Sequence, residues 1–277
     1  VNHADERYLE AKRTVDDRAI DRRVRDRLLA ALPEAPTIRE AGAGTGATVP
    51  RLLDWGVTAG DYLGVDRDAD VIDFARERRA SECGSERTDR GFRTGDLTVR
   101  FEHGDALEAF NGDRADLIVA QAFLDLVPIE ASLDAFASAL KPGGLVYAPI
   151  TFDGETVFQP DHPADDAVVA AYHDAIDTES GRDARAGRHL LDRCRARDGE
   201  LLAVGASDWV VYPPYAAAER DFLATILSFV AEAVAERVDG ADDWLRSRRS
   251  QLDAGRLSYV AHGYDVLYRV PDGDSRR

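Results

Sequence analysis

The 277-residue sequence predicts an α/β fold built on a doubly wound parallel sheet, and three observations carry that prediction. Short apolar runs alternate with helix-period segments five times over roughly the first 150 residues, which is the pattern of successive βα units. A glycine cluster, Gly42-Ala43-Gly44-Thr45-Gly46, stands where the first run ends. The run Asp116-Leu117-Ile118-Val119-Ala120 is apolar without alternation, as a strand covered on both faces must be.

Residues 5–32 place Leu9, Val15, Ile20, Val24, Leu28 and Leu29 at near-helical spacing among charges, with Pro33 as the stop, and read as one helix. Residues 37–41 form the first strand, followed by the glycine cluster and a helix carrying Val49, Leu52 and Leu53. Residues 62–66 are the second strand, and Val71, Ile72 and Phe74 mark the next helix. Residues 81–95 are polar and read as a surface loop, whereas 97–103 alternate as the third strand. The fourth strand is 116–120. Residues 133–140 are helical and stop at Lys141-Pro142-Gly143-Gly144, a helix end and turn, and 145–150 make the fifth strand. Beyond it, 153–199 reads as loop and helices, 201–211 as a strand, 216–238 as a long amphipathic helix and 259–270 as the last strand. The expected organisation is a helical cap over 1–34, a core over 35–152, a helical insertion over 153–199 that covers the site, and the rest of the core over 200–277.

With 44% hydrophobic residues the chain can bury a sizeable core. No run approaches the roughly 20 apolar residues that span a bilayer. Residues 1–27 are dense in charge rather than apolar at their centre, so the cytoplasm is the expected compartment. Cys83 and Cys194 lie far apart and the six histidines show no short ligand spacing, so no metal site is expected. The net charge is -17, from 36 Asp and 16 Glu against 33 Arg and only two lysines, Lys12 and Lys141. Such a surface suits molar salt, as in a halophile, or an acidic protein of a GC-rich genome. Either origin disfavours a nucleic-acid partner, which needs clustered cations. The sequence carries no signal for oligomeric state.

In open α/β sheets ligands bind beyond the carboxyl ends of the strands. Glu40 and the glycine cluster follow the first strand; the glycines allow a tight turn and close approach to backbone, and the helix start offers N–H groups to a carboxylate. Asp66 ends the second strand, where a carboxylate accepts from both hydroxyls of a ribose. The third strand runs into Gly104-Asp105-Ala106-Leu107, and the fourth into Gln121-Ala122-Phe123-Leu124-Asp125. The loop alone is ambiguous. Gly42, Gly44 and Ala47 also satisfy the dinucleotide fingerprint, which leaves an NAD-dependent oxidoreductase open, and Asp66 and Asp105 also suit helix caps.

Taken in order, Glu40 to Gly46, Gly64-Val65-Asp66, Gly104-Asp105, the segment from Asp116 to Asp125, and Leu140-Lys141-Pro142-Gly143-Gly144 resemble the class I S-adenosylmethionine (SAM)-dependent methyltransferases. The resemblance covers about residues 35–150. It implies a Rossmann-like seven-stranded sheet, SAM as cofactor and S-adenosylhomocysteine (SAH) as product. By the same resemblance Glu40, Gly42, Ala43, Gly44, Thr45 and Gly46 hold the methionine part, and Asp66 binds the ribose. Gly104, Asp105 and Ala106 bind the adenine with Arg67 flanking its ring, and Gln121, Ala122 and Phe123 line the sulfonium. Tyr8, Arg13 and Arg18 fall on a segment that many members fold over the cofactor, where Arg13 would pair with the methionine carboxylate. Tyr212-Pro213-Pro214-Tyr215 is similar to a motif of base-amino methyltransferases but lies after the wrong strand and lacks its leading polar residue.

Methyl transfer from a sulfonium depends mainly on alignment, and a base is needed only for a protonated acceptor. Asp125, beside the expected methyl position, and His173, on a helix of the insertion, are the candidate bases. The expected acceptor is a small molecule. A tRNA, rRNA or protein acceptor is the alternative, and a non-catalytic SAM-binding module is another.

Overall fold

The alternating segments fold into one mixed sheet in a computed structural model that describes residues 5–83 and 86–273. The chain opens with α1 (Glu6–Ala19), α2 (Arg22–Ala31), β1 (Thr37–Ala41), α3 (Thr48–Asp54), β2 (Ala59–Asp66) and α4 (Ala69–Glu82). It continues with β3 (Glu86–Thr88), β4 (Gly91–Thr94), β5 (Asp96–His103), α5 (Ala106–Ala109), β6 (Ala115–Val119), α6 (Ile129–Ala139) and β7 (Leu140–Gln159). Last come α7 (Asp165–Thr178), α8 (Ala186–Arg195), β8 (Glu200–Ala206), β9 (Trp209–Val211), α9 (Ala217–Val234), α10 (Ala241–Asp253) and β10 (Ser258–Arg269).

The strand order is β3-β4-β5-β2-β1-β6-β7-β10-β8, with β9 pairing beside β10. Strands β5, β2, β1, β6 and β7 run parallel, and β10 lies antiparallel between β7 and β8. These are the seven expected strands. The order reverses direction at β1, flanked by β2 and β6, so the loops leaving β1 and β6 diverge and open a crevice at that point.

Several elements differ from the sequence reading. The expected helix over 5–32 is two helices. Asp21 caps α2 by accepting from the Val24 N–H at 2.9 Å, and its own N–H donates to Asp265 at 2.8 Å, which turns the chain. The expected loop over 81–95 contains the hairpin β3–β4, whose first strand is exposed throughout and so lacks alternation. The fifth strand does not stop at 150 but continues to Gln159, and the covering insertion starts as strand before α7 and α8. The expected strand over 201–211 is split into β8 and β9. Helix α10 is an addition: it buries Trp244, Arg248 and Leu252 along one face, and the arginine within that stripe hides the helical period. Arg248 is fully buried, ion-paired with Asp165 and bonded to the Pro160 carbonyl at 2.6 Å.

Two apolar cores flank the sheet, and a third lies outside it, where α1, α7, α9 and α10 close over the outer lengths of β7 and β10. Tyr8, Val15, Phe158, Phe222, Trp244 and Tyr259 belong to this third core, each large side chain contributing roughly 1.5–3 kcal/mol by burial. β7 passes between the cores through two irregularities. Tyr264 and Val266 face Thr151 and Ala148, so β7 places Pro149 and Ile150 against Asp265 alone; Ala261 and Gly263 face Thr156 and Phe152, so 153–155 stand against His262 alone. Extra residues of this kind bend a strand and redirect side chains. No helix among the described residues is long and apolar enough to cross a membrane.

Candidate active site

A cavity of about 400 Å³ lies between the carboxyl ends of β1, β2, β5 and β6 and the outer helical layer, a volume ordinary for small-ligand sites. Its inner half is the glycine loop. Gly42 has φ +70°, and a Cβ there would lie 2.7 Å from the Phe123 ring, so both backbone conformation and packing demand glycine. The Gly44 N–H donates to Asp66 Oδ2 at 2.9 Å, and Asp66 Oδ1 accepts from the Asp68 N–H at 3.0 Å. Asp66 therefore braces the loop, and the cap of α4 is Asp68. Gly46 departs from expectation: it is not in the cavity wall, and a Cβ there would meet Phe101 at 2.6 Å. It packs the loop against β5.

Glu40 lies at the base of the loop, its carboxylate accepting from Thr48 Oγ1 at 2.7 Å and from the Tyr62 hydroxyl. Burial pushes its carboxyl up to about 7 against the opposing pull of these two bonds. Asp105 caps α5 through the Leu107 N–H at 2.9 Å and is ion-paired with Arg67. Slight burial acts to raise its carboxyl, but the Arg67 guanidinium and the Leu107 N–H outweigh it and hold it below the usual range.

These residues fit a nucleoside. Asp66 and Asp105 stand on neighbouring strand ends, where β2 and β5 pair at Asp66 and His103, with Val65, Gly104, Ala106 and Leu107 in the wall between them. Two carboxylates beside an apolar slot match the vicinal hydroxyls and the amino-bearing ring of an adenosine.

At the other end of the loop, α1 supplies Tyr8, Leu9, Lys12 and Asp16 to the wall. Arg13 does not take the role expected of it. Its guanidinium is ion-paired with Glu82 at 2.7 Å and lies outside the wall, whereas Lys12 lies within it. Lys12 Nζ stands 3.6 Å from Asp16 Oδ2 and 5.3 Å from the Trp209 ring centroid. Asp16 also accepts from Trp209 Nε1 at 2.9 Å and from Gln121 Nε2 at 3.0 Å, and Arg51 donates to Gln121 Oε1. The side chain of Gln121 is thus fixed at both ends.

The outer half of the cavity is mostly apolar and aromatic, with Phe123, Phe152, Tyr172, Trp209, Phe229 and Tyr259 in its wall. Asp125 lines it too. Its Oδ1 is buried with no hydrogen-bond partner, and burial pushes the carboxyl up to about 6. Two wall residues, Ala122 (φ 45°) and Ile150 (φ 57°), hold left-handed backbone. For β-branched Ile150 this costs on the order of 1–3 kcal/mol and persists only where its surroundings enforce it. Here the strand irregularity frees the Ile150 N–H, and Asp265 accepts it at 2.9 Å.

His173 also lies outside the wall: its Nε2 is 3.0 Å from Thr156 Oγ1, its ring meets Phe152 edge-on, and burial lowers its pKa. The histidine in the wall is His262, with Nδ1 2.6 Å from Asp208 Oδ1. Sequence reading passed over His262 because its pairing with Asp208 arises from the register of β9 on β10, where Trp209 faces Ala261. Among the described residues no cluster of three or more His, Cys, Asp or Glu is arranged to hold a metal.

A family model described as a methyltransferase domain matches residues 40–146. No curated protein matches the chain. Among solved structures, a candidate methyltransferase from Bacillus halodurans C-125 is similar at a TM-score of 0.56 and 14% identity, covering 90% of this chain and 98% of that one. The YcgJ protein from Bacillus subtilis is similar at 0.53 and 16%, covering 90% and 97%. At these identities the likeness establishes the fold.

Proposed function

Residues 40–146 form a methyltransferase domain of the class I, SAM-dependent type, and from that premise we propose that the enzyme methylates a small molecule held beneath its helical layer. The observation that carries this reading is the roofed, aromatic outer half of the cavity, which continues directly from the glycine loop. Its two arginines do not form a basic strip: Arg67 is ion-paired with Asp105, and Arg182 with Glu179 at 2.9 Å. A phosphate backbone would find little to bind there. The unpaired thiols Cys83 and Cys194 and the use of an intracellular cofactor favour the cytoplasm.

When bound, SAM supplies an electrophilic methyl group on a sulfonium. Asp66 accepts from the ribose hydroxyls, while Gly104, Asp105, Ala106 and Arg67 border the adenine. Glu40, Gly42, Ala43, Gly44 and Thr45 surround the methionine part, and Lys12 takes the place expected of Arg13 beside its carboxylate. Gln121, Ala122 and Phe123 form the floor where the two halves of the cavity meet. Asp125 and the His262–Asp208 pair are the groups in the outer wall able to accept a proton from an acceptor. His173, outside that wall, has no access to it.

Calorimetric titration with SAH and, separately, with NADH in molar KCl tests the reading. SAH should bind, and Asp66→Ala should weaken it by on the order of tenfold or more through loss of charge-assisted bonds. Binding of NADH without SAH would overturn the assignment.

A further inference from the structure

Among the described residues, each charged side chain in the outer cavity wall but one has an ion-pair partner. Lys12 faces Asp16 at 3.6 Å, Arg182 faces Glu179 at 2.9 Å, and His262 faces Asp208 at 2.6 Å. Asp125 lines the same space, yet its Oδ1 is buried without a hydrogen-bond partner, and among the described residues its carboxylate makes no ion pair. A buried acceptor left without a donor destabilises the protein, and the residue that carries this one lines the ligand space. Rotation about χ2, a soft torsion, presents either oxygen to that space.

The surroundings select the kind of donor. Tyr8, Tyr172, Trp209, Phe229 and Tyr259 share the wall, and the charge of Asp125 acts on the hydroxyls of both Tyr8 and Tyr172. Aromatic faces attract cations. The wall already holds one in this way, since Lys12 Nζ stands 5.3 Å from the Trp209 ring centroid. A ligand carboxylate would face Asp125 and be repelled. A neutral hydroxyl would satisfy the oxygen but leave the carboxylate, on which Lys12 and Arg182 act only from a distance, without a direct ion-pair partner.

Resting on the methyltransferase reading, we propose that the acceptor is a compact, largely apolar molecule carrying one ammonium group, with Asp125 as its anionic anchor. The ammonium is the recognition handle; it donates to the orphaned oxygen while the aromatic wall covers the apolar remainder.

The test is calorimetric titration of SAH-saturated protein with benzylamine, 2-phenylethylamine and cyclohexylamine, each beside the alcohol of the same skeleton. At least one amine should bind more tightly than its alcohol by on the order of tenfold. Asp125→Asn should erase that preference, with SAH affinity as the check that the variant is folded. If no amine exceeds its alcohol, or if the preference survives in Asp125→Asn, the proposal is overturned. Should the variant lose SAH binding, the wild-type amine-to-alcohol ratio decides the matter alone. Failure of the wild type to bind SAH is a different result and strikes the methyltransferase reading itself.

Discussion

Glu40 enters the folded chain as a carboxyl stripped of water, and its rise to about 7 from an ordinary value of 4.5 is a statement about stability. Between those two values the folded chain keeps a proton that the unfolded chain releases, so stability falls as pH rises through the window. Asp125 and Asp265, each raised from 3.8 to about 6 chiefly by burial, act in the same direction. Glu40→Gln should flatten the profile: in urea unfolding at pH 5 and pH 7.5, the wild type should lose roughly 2–3 kcal/mol more than the variant between the two. Equal losses would mean the group is ionised in both states. The residues of the inner cavity wall were legible at this scale because Glu40, Gly42, Gly44, Asp66 and Asp105 stand at strand ends, where the cavity opens. Lys12 was not. Neighbouring residues on a helix point about 100° apart, and α1 carries charge on so many sides that its sequence leaves the choice between Lys12 and Arg13 open.

Helices α1 and α4 and the glycine loop meet at one side chain. Arg79, fully buried, donates to the Thr45 carbonyl at 2.8 Å and is ion-paired with Glu10 of α1 and Glu82 of α4. Removing one member of a buried ionic group strands the others. Arg79→Ala should therefore cost about 3–5 kcal/mol in chemical denaturation and weaken SAH binding without touching ligand; an unchanged affinity would show that the loop needs no brace from α4. The sequence displayed the βα alternation because buried parallel strands are apolar throughout. It concealed the break between α1 and α2, since the apolar spacing continues across it and the cause, Asp265, lies 244 residues from Asp21. It likewise concealed the β3–β4 hairpin, whose residues are mostly exposed, and α10, whose core includes Arg248.

The whole molecule carries 52 acidic against 35 basic residues, and self-repulsion opposes folding at low ionic strength. Raising KCl shortens the reach of that repulsion from about 10 Å at 0.1 M to about 3 Å at 1 M. We expect the melting temperature to climb by roughly 5 °C or more over this range, read by scanning calorimetry; a fall would show that screened ion pairs outweigh relieved repulsion and would remove the case for a salt-adapted surface. The outer helical layer rests on the same strands as the sheet, because β7 and β10 run unbroken in sequence from one core into the other. For protein engineering and for divergence alike, that layer is not a cassette. Exchanging it for another would require splices inside two paired strands, close to the irregularities that lie opposite Asp265 and His262. New acceptors are reached instead by point substitution on the cavity-facing sides of α1, α7 and α9, with the strands left as they are.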